Sequence, residues 1–176
     1  MEVYLIRHTT PLIEKGICYG QSDIALAESF RSEASQLLQQ IPEEIDAVYS
    51  SSSSRCYKLA RLVKSDQLII DNRLLELNFG DWEMKNWDEI NKEDLDKWMK
   101  DFVNVRVSNG ENFIDLSNRV NNFIDDLTLR NYKKVVIVSH AGVIRSFMSK
   151  VYEKPLEKAF EIKVEYSSII KITINR

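Results

Sequence analysis

The sequence predicts an α/β fold: a three-layer α/β/α sandwich around a mainly parallel central sheet with an antiparallel edge strand. Three observations predict it. Residues 3–6 and 135–138 are continuous apolar runs, the mark of strands covered on both faces. The segments between them carry apolar residues at helical spacing. Near the end, Ile170, Ile172 and Ile174 alternate with Lys171 and Thr173, which leaves one face wet and marks an edge strand.

Taken in order, the first strand runs straight into Arg7, His8, Thr9 and Thr10, and Pro11 stops it. A loop over residues 9–26 follows, holding Gly16, Gly20 and the polar turn at 19–23; a loop this long reads as a pocket wall. Residues 28–40 should form a helix, with Phe30, Ala34, Leu37, Leu38 and Ile41 on one face and Pro42 as its stop. Residues 46–49 make a short second strand, and the serine run 50–54 leads into a helix with Cys56, Leu59, Ala60 and Val63 as its buried stripe. Arg55, in the first turn of that helix, is badly placed for the helix dipole unless it faces an anion, and free amides at the helix start attract one. Residues 68–70 are a third strand. Residues 87–102 read as one amphipathic helix whose Trp87, Ile90, Leu95, Trp98 and Phe102 are core or, alternatively, a lid that stacks on a flat substrate. Its acids read as a solvated face. Gly110-Glu111-Asn112 opens a helix striped by Phe113, Leu116, Val120, Phe123 and Leu127. The strand at 135–138 then runs into Ser139 and His140, and Gly142 starts a helix that carries Arg145 in its first turns. Phe160, Ile162, Val164 and Tyr166 alternate with charged residues, which predicts a second edge strand in a hairpin with the last one.

At 176 residues the chain reads as a single domain over 1–176, with 81–110 as a helical insert near the site. Net charge is −3, so no general basic field exists for nucleic acid, and no apolar stretch has the length of a membrane helix. Two cysteines are too few for a disulfide framework, and the chain enters a strand without a signal peptide; a cytoplasmic setting is expected.

The chemistry gathers at strand exits: Arg7, His8, Arg55 and His140, the only two histidines among them. Open α/β sheets bind ligands at those ends. Two guanidiniums grip a tetrahedral anion well. Two histidines without nearby cysteines make a poor metal site, and neither a Walker loop nor an aspartate cluster for magnesium is present, so no metal and no cofactor is expected. What remains is phosphate chemistry with histidine as nucleophile. A general acid is wanted, and Glu76, Asp81 and Glu83 are rivals; Glu76, between two leucines, has the apolar setting that raises a carboxyl pKa.

Assembled, these elements resemble the histidine phosphatase superfamily, the phosphoglycerate-mutase-like group. The arginine-histidine signature is Leu5-Ile6-Arg7-His8-Thr9; the serine-arginine element is Tyr49 to Arg55; the acidic element is Glu76 to Glu83; the glycine-glutamate element is Gly110-Glu111; and the second histidine stands in Val138-Ser139-His140-Ala141-Gly142. The resemblance implies that His8 becomes phosphorylated, that Arg7, Arg55 and His140 surround the phosphate with Gly20 close by, and that Glu76 protonates the leaving oxygen. It also implies a small phosphomonoester as partner and no metal. The chain departs from the family where Thr9-Thr10 replace glycine-glutamate and where Glu14 replaces an asparagine. The run 8–11 followed by 17–23 resembles the alpha-ribazole phosphatase branch, which implies alpha-ribazole phosphate as substrate; phosphoglycerate-mutase-type transfer and a non-catalytic phosphate-binding module are the alternatives.

Overall fold

In the computed structural model, which describes residues 1–175, five strands form one sheet. They are β1 (Glu2–Arg7), β2 (Ala47–Ser50), β3 (Leu68–Ile70), β4 (Lys134–Ser139) and β5 (Ile169–Thr173). Their order is β3-β2-β4-β1-β5; all neighbours are parallel except β1 and β5, so the antiparallel edge lies where the alternating isoleucines placed it. Side chains alternate across the sheet. Val3 and Leu5 face one core with Val135 and Ile137, while Tyr4 and Ile6 face the other with Val136 and Val138.

Helices α1 (Phe30–Leu38) and α2 (Ser54–Ala60) cover the second face through Ala34, Leu37, Cys56 and Leu59. On the first face lie α4 (Phe113–Thr128) and α5 (Ala141–Val151), with α3 (Lys92–Lys100) joining the same core through Trp98. Asn112 and Asp115 cap the start of α4 reciprocally. The sandwich is therefore three layers, and the parallel β1, β2 and β4 end on one rim of it. Register fixes that rim: Arg7 pairs with Ser139 and Ser50 with Val138, so His8, His140 and Ser51 all leave the sheet at one level.

Two sequence expectations fail. The single helix over 87–102 is instead a 3-10 turn (Trp87–Glu89) and then α3, because Asn86 and Asn91 each accept an amide hydrogen bond as caps and Ile90 between them is extended. The hairpin is also absent. Residues Leu156–Glu161 form a 3-10 turn and the segment after it is irregular. Its carbonyls serve arginines instead of a ladder: Val164 O accepts from Arg7 and Ile162 O from Arg145. No helix among the described residues is long and apolar enough to cross a membrane.

Candidate active site

Three strand ends bring His8, His140 and Arg55 together. The two imidazole centroids are 5.2 Å apart, edge to face, within reach of one phosphate. Both rings are buried, and Arg55 is fully so. His8 Nδ1 lies 2.7 Å from the Thr9 carbonyl, which can only accept, so Nδ1 carries the proton and the Nε2 lone pair is free for chemistry. That lone pair receives Arg55 Nε–H at 3.3 Å. Burial pulls the His8 pKa down to about 3, aided by the Arg55 charge, so the ring is neutral at physiological pH.

His140 is set by the serine run. Arg55 Nη2 donates to His140 Nδ1 at 3.3 Å, which leaves Nε2–H to donate to Ser51 Oγ at 2.9 Å. Ser53 Oγ and Cys56 Sγ lie a little farther from the same nitrogen, each at 3.4 Å. Burial, then the His8 and Arg55 charges, hold the His140 pKa well below the ordinary value. The serines thus hold a histidine through their hydroxyls.

Among the described residues Arg55, a buried cation, pairs with no carboxylate and is held by dipoles. Its Nη1 donates to Ser22 O at 2.8 Å and Nη2 to Gly20 O at 2.6 Å. Gly20 stands behind the pocket: its N–H goes to Glu83 and its carbonyl to Arg55, and a Cβ there would lie 1.8 Å from Leu77 O. Glu83 accepts from the amides of Gly20, Gln21, Ser22 and Phe79 and from the Ser22 hydroxyl. Burial raises its pKa, but these bonds outweigh it and the net shift is downward. Glu83 is a loop anchor, and Asp81 is engaged with Ser108 and Asn109 outside the pocket.

Glu76 alone of the three acids lines the pocket. Its surroundings are polar: Oε1 accepts from Leu77 N at 2.9 Å and Oε2 from Gly142 N at 3.1 Å, at the start of α5. A Cβ on Gly142 would meet Glu76 Oε1 at 2.3 Å, so this contact requires glycine. Arg119, which the sequence reading passed over, braces the strand of chain behind it. Arg119 is paired with Glu111 at 2.9 Å and donates to the carbonyls of Arg73, Leu75 and Glu76. An arginine wedged between Leu116 and Val120 on a buried helix face was the available signal.

Arg7 lies flat on the Tyr166 ring, 3.6 Å from its centroid, and donates Nη1 to Val164 O. Its Nε is buried and has no hydrogen-bond partner among the described residues. Tyr19 hydrogen-bonds Tyr166 and sits beside Arg55. The resulting pocket, about 210 Å³, is lined by Arg7, His8, Arg55, Glu76, His140 and Arg145 on its polar side and by Tyr19, Phe79, Trp87 and Tyr166 on its aromatic side. Arg145, Tyr19 and Tyr166 were not foreseen. Trp87 joins both the wall and the aromatic core, stacked on Trp98. Glu14 is exposed and away from the pocket.

Two imidazoles, three guanidiniums and one carboxylate at the carboxyl rim of a parallel sheet define a phosphoryl-handling α/β enzyme. The sequence profile of the histidine phosphatase superfamily (branch 1) matches residues 3–176, and the chain belongs to that family. The adenosylcobalamin/alpha-ribazole phosphatase of Escherichia coli is 30% identical, across 100% of this chain and 91% of the relative. Phosphoserine phosphatase 1 of Hydrogenobacter thermophilus is 26% identical across 96% of this chain and 84% of the relative. The crystal structure of the alpha-ribazole phosphatase from Shigella flexneri superposes with a TM-score of 0.92 at 30% identity, covering 100% of this chain and 92% of the other.

Proposed function

We propose that the protein hydrolyses small phosphomonoesters through a phosphohistidine on His8. The observation that carries this is the tautomer of His8: the Thr9 carbonyl holds Nδ1–H and leaves a neutral, unprotonated Nε2 in the pocket. Arg7 and Arg55 take the phosphoryl oxygens, where their positive charge and N–H groups stabilise charge in the transition state, and the neutral His140 imidazole stands beside them within reach of the same phosphate. Nε2 attacks phosphorus while the ester P–O bond breaks, and Glu76 gives its proton to the departing oxygen. Glu76 then takes a proton from water, which attacks the phosphorus, breaks the P–N bond and frees His8 and inorganic phosphate.

This reading takes residues 1–176 as one catalytic domain, with 81–110 as an insert that supplies Trp87 to the pocket wall. It places the protein in the cytoplasm, where the buried free thiols Cys18 and Cys56 stay reduced. It assigns no nucleic-acid partner. Alpha-ribazole phosphate, the substrate in the names of two relatives, is a reading that the aromatic lining of Tyr19, Phe79, Trp87 and Tyr166 supports.

The test is hydrolysis of p-nitrophenyl phosphate in excess chelator. Wild type turns over, an acid-labile, base-stable phosphoenzyme is trapped on rapid quench, and His8→Ala loses both. Undiminished turnover by that variant would end the scheme.

A further inference from the structure

Glu33 lies outside the pocket, yet it is tied to the nucleophile through one peptide unit. It stands half-buried in the first turn of α1. The Thr9–Thr10 peptide has both ends engaged: its carbonyl takes Nδ1–H of His8 at 2.7 Å, and its N–H donates to Glu33 Oε2 at 2.9 Å. The same carboxylate accepts from the hydroxyls of Thr10, Ser29 and Ser167. All these donors are neutral, and among the described residues Glu33 forms no ion pair. Burial pushes its pKa up, but the bonds from Ser167, Ser29 and Thr10 outweigh it and the net shift is downward. An ionised carboxylate, neutralised by no cation, thus stands behind the His8 ring on its Nδ1 side.

Charge flow in the first step gives this carboxylate a role. Nε2 gives its lone pair to phosphorus while the ester P–O bond breaks, and Nδ1 keeps its proton. The ring therefore turns from a neutral imidazole into an imidazolium that carries the phosphoryl group. That positive charge develops where burial and the Arg55 and Arg7 guanidiniums oppose it, while the Thr9 carbonyl and the Glu33 charge act the other way. A carboxylate hydrogen-bonded behind an imidazole fixes its tautomer and stabilises its cation. Hydrogen bonds in series polarise one another. Here an amide stands between the two groups, and the negative charge at its N–H end makes its carbonyl a stronger acceptor.

We propose that Glu33 is a positioning residue for His8: through the Thr9–Thr10 peptide it fixes the Nδ1-protonated tautomer and stabilises the positive charge that the ring gains on phosphorylation. This rests on the reading of the site given above and deepens it. The rival role is a clasp. Ser167 gives its hydroxyl to Glu33 and its N–H to the His8 carbonyl, which ties the Tyr166 segment to the end of β1. The two roles separate in the kinetics. Stabilising the ring cation speeds its formation and slows its loss, whereas a loosened clasp slows both steps.

Glu33→Gln removes the charge and keeps an oxygen that can accept from Thr10 N–H. Rapid-quench kinetics with p-nitrophenyl phosphate resolve the formation and the decay of the phosphoenzyme. Formation is expected to slow roughly tenfold, the equivalent of about one pKa unit in the ring, with decay no slower than in wild type. An unchanged formation rate, or an equal slowing of both steps, would overturn the assignment. Nitrogen NMR of the histidine-labelled, ligand-free protein gives a second reading that needs no turnover, with only two histidines to assign. The His8 Nδ1 proton should move upfield in Glu33→Gln as its bond to the Thr9 carbonyl weakens; an unmoved resonance would also overturn it. If no phosphoenzyme forms in wild type, the His8 scheme fails, and that resonance alone decides the role of Glu33. Should Glu33→Gln not fold, as judged by circular dichroism, the wild-type Thr10 amide proton decides. Bonded to an ionised carboxylate it lies well downfield, and an ordinary position would overturn the relay.

Discussion

Lowering the pH of the ligand-free protein from about 8 to about 5 should cost about 2 kcal/mol of folding stability through His8 alone, with a further loss in the same direction from His140. His8 sits near 3 in the fold against 6.5 outside it, and His140 is displaced in the same direction, both chiefly by burial. The folded value lies below the unfolded one, so as pH falls the unfolded chain takes up the protons and the folded chain does not. Stability from each ring is whole above the unfolded value and drains away as the pH descends from about 6.5 toward the folded value. By linkage the loss from His8 at pH 5 is RT ln(1 + 10^1.5), or about 2 kcal/mol; His140, the chain's other histidine, adds to it in the same direction. Carboxylates contribute little until the pH falls lower. Against a total of roughly 5–15 kcal/mol for a domain, a loss of about 2 or more is readily measured. Urea unfolding followed by tryptophan fluorescence at several pH values measures it, with the m-value as a check that the unfolded state is unchanged. In His8→Asn the His8 share of about 2 kcal/mol should vanish, leaving a shallower slope over the same interval. A wild-type midpoint that stays flat from pH 8 to pH 5, or a His8→Asn slope as steep as the wild type's, would refute the buried, neutral nucleophile.

Two further outcomes follow from the loop behind the phosphate site. Gly20→Ala drives a Cβ into the Leu77 carbonyl, which is backbone and adjoins Glu76; a loss of about 1–3 kcal/mol with a fall in kcat should appear in unfolding and in p-nitrophenyl phosphate assays. Glu83→Gln replaces a carboxylate that accepts five hydrogen bonds with an amide that brings its own donor, so about 2–3 kcal/mol of stability should go and KM should rise as the carbonyls holding Arg55 shift.

The layers, the parallel sheet and the antiparallel edge were legible because burial on both faces and burial on one face write different patterns, as residues 135–138 and Ile170, Ile172 and Ile174 do. His8 and His140 were legible as polar side chains placed straight after buried strands. Glu76 was not, on local grounds: what distinguishes it from Glu83 is the Gly142 amide, supplied from a distant part of the chain. The failed hairpin has the same origin. Alternation over Phe160, Ile162, Val164 and Tyr166 is real, but the backbone there is claimed by Arg7 and Arg145, and side-chain periodicity carries no record of which groups the carbonyls bond. Tyr166 was read as part of that strand rather than as a pocket residue for the same reason.

The position of Arg55 joins the fold to the chemistry. In the ligand-free molecule its donors rest on both imidazoles, at His8 Nε2 and His140 Nδ1, while two loop carbonyls hold its other end. These bonds satisfy nitrogens that burial would otherwise leave without partners, and the adjacent charge resists protonation of either ring. An arriving phosphate offers stronger, charged acceptors to the same guanidinium. On the proposed scheme it would draw Arg55 off the His8 lone pair as phosphorus comes within reach, so that the substrate uncovers the nucleophile. Lysine could not substitute: its ammonium is a single point of charge, whereas this position asks for donors to two carbonyls and two imidazoles at once.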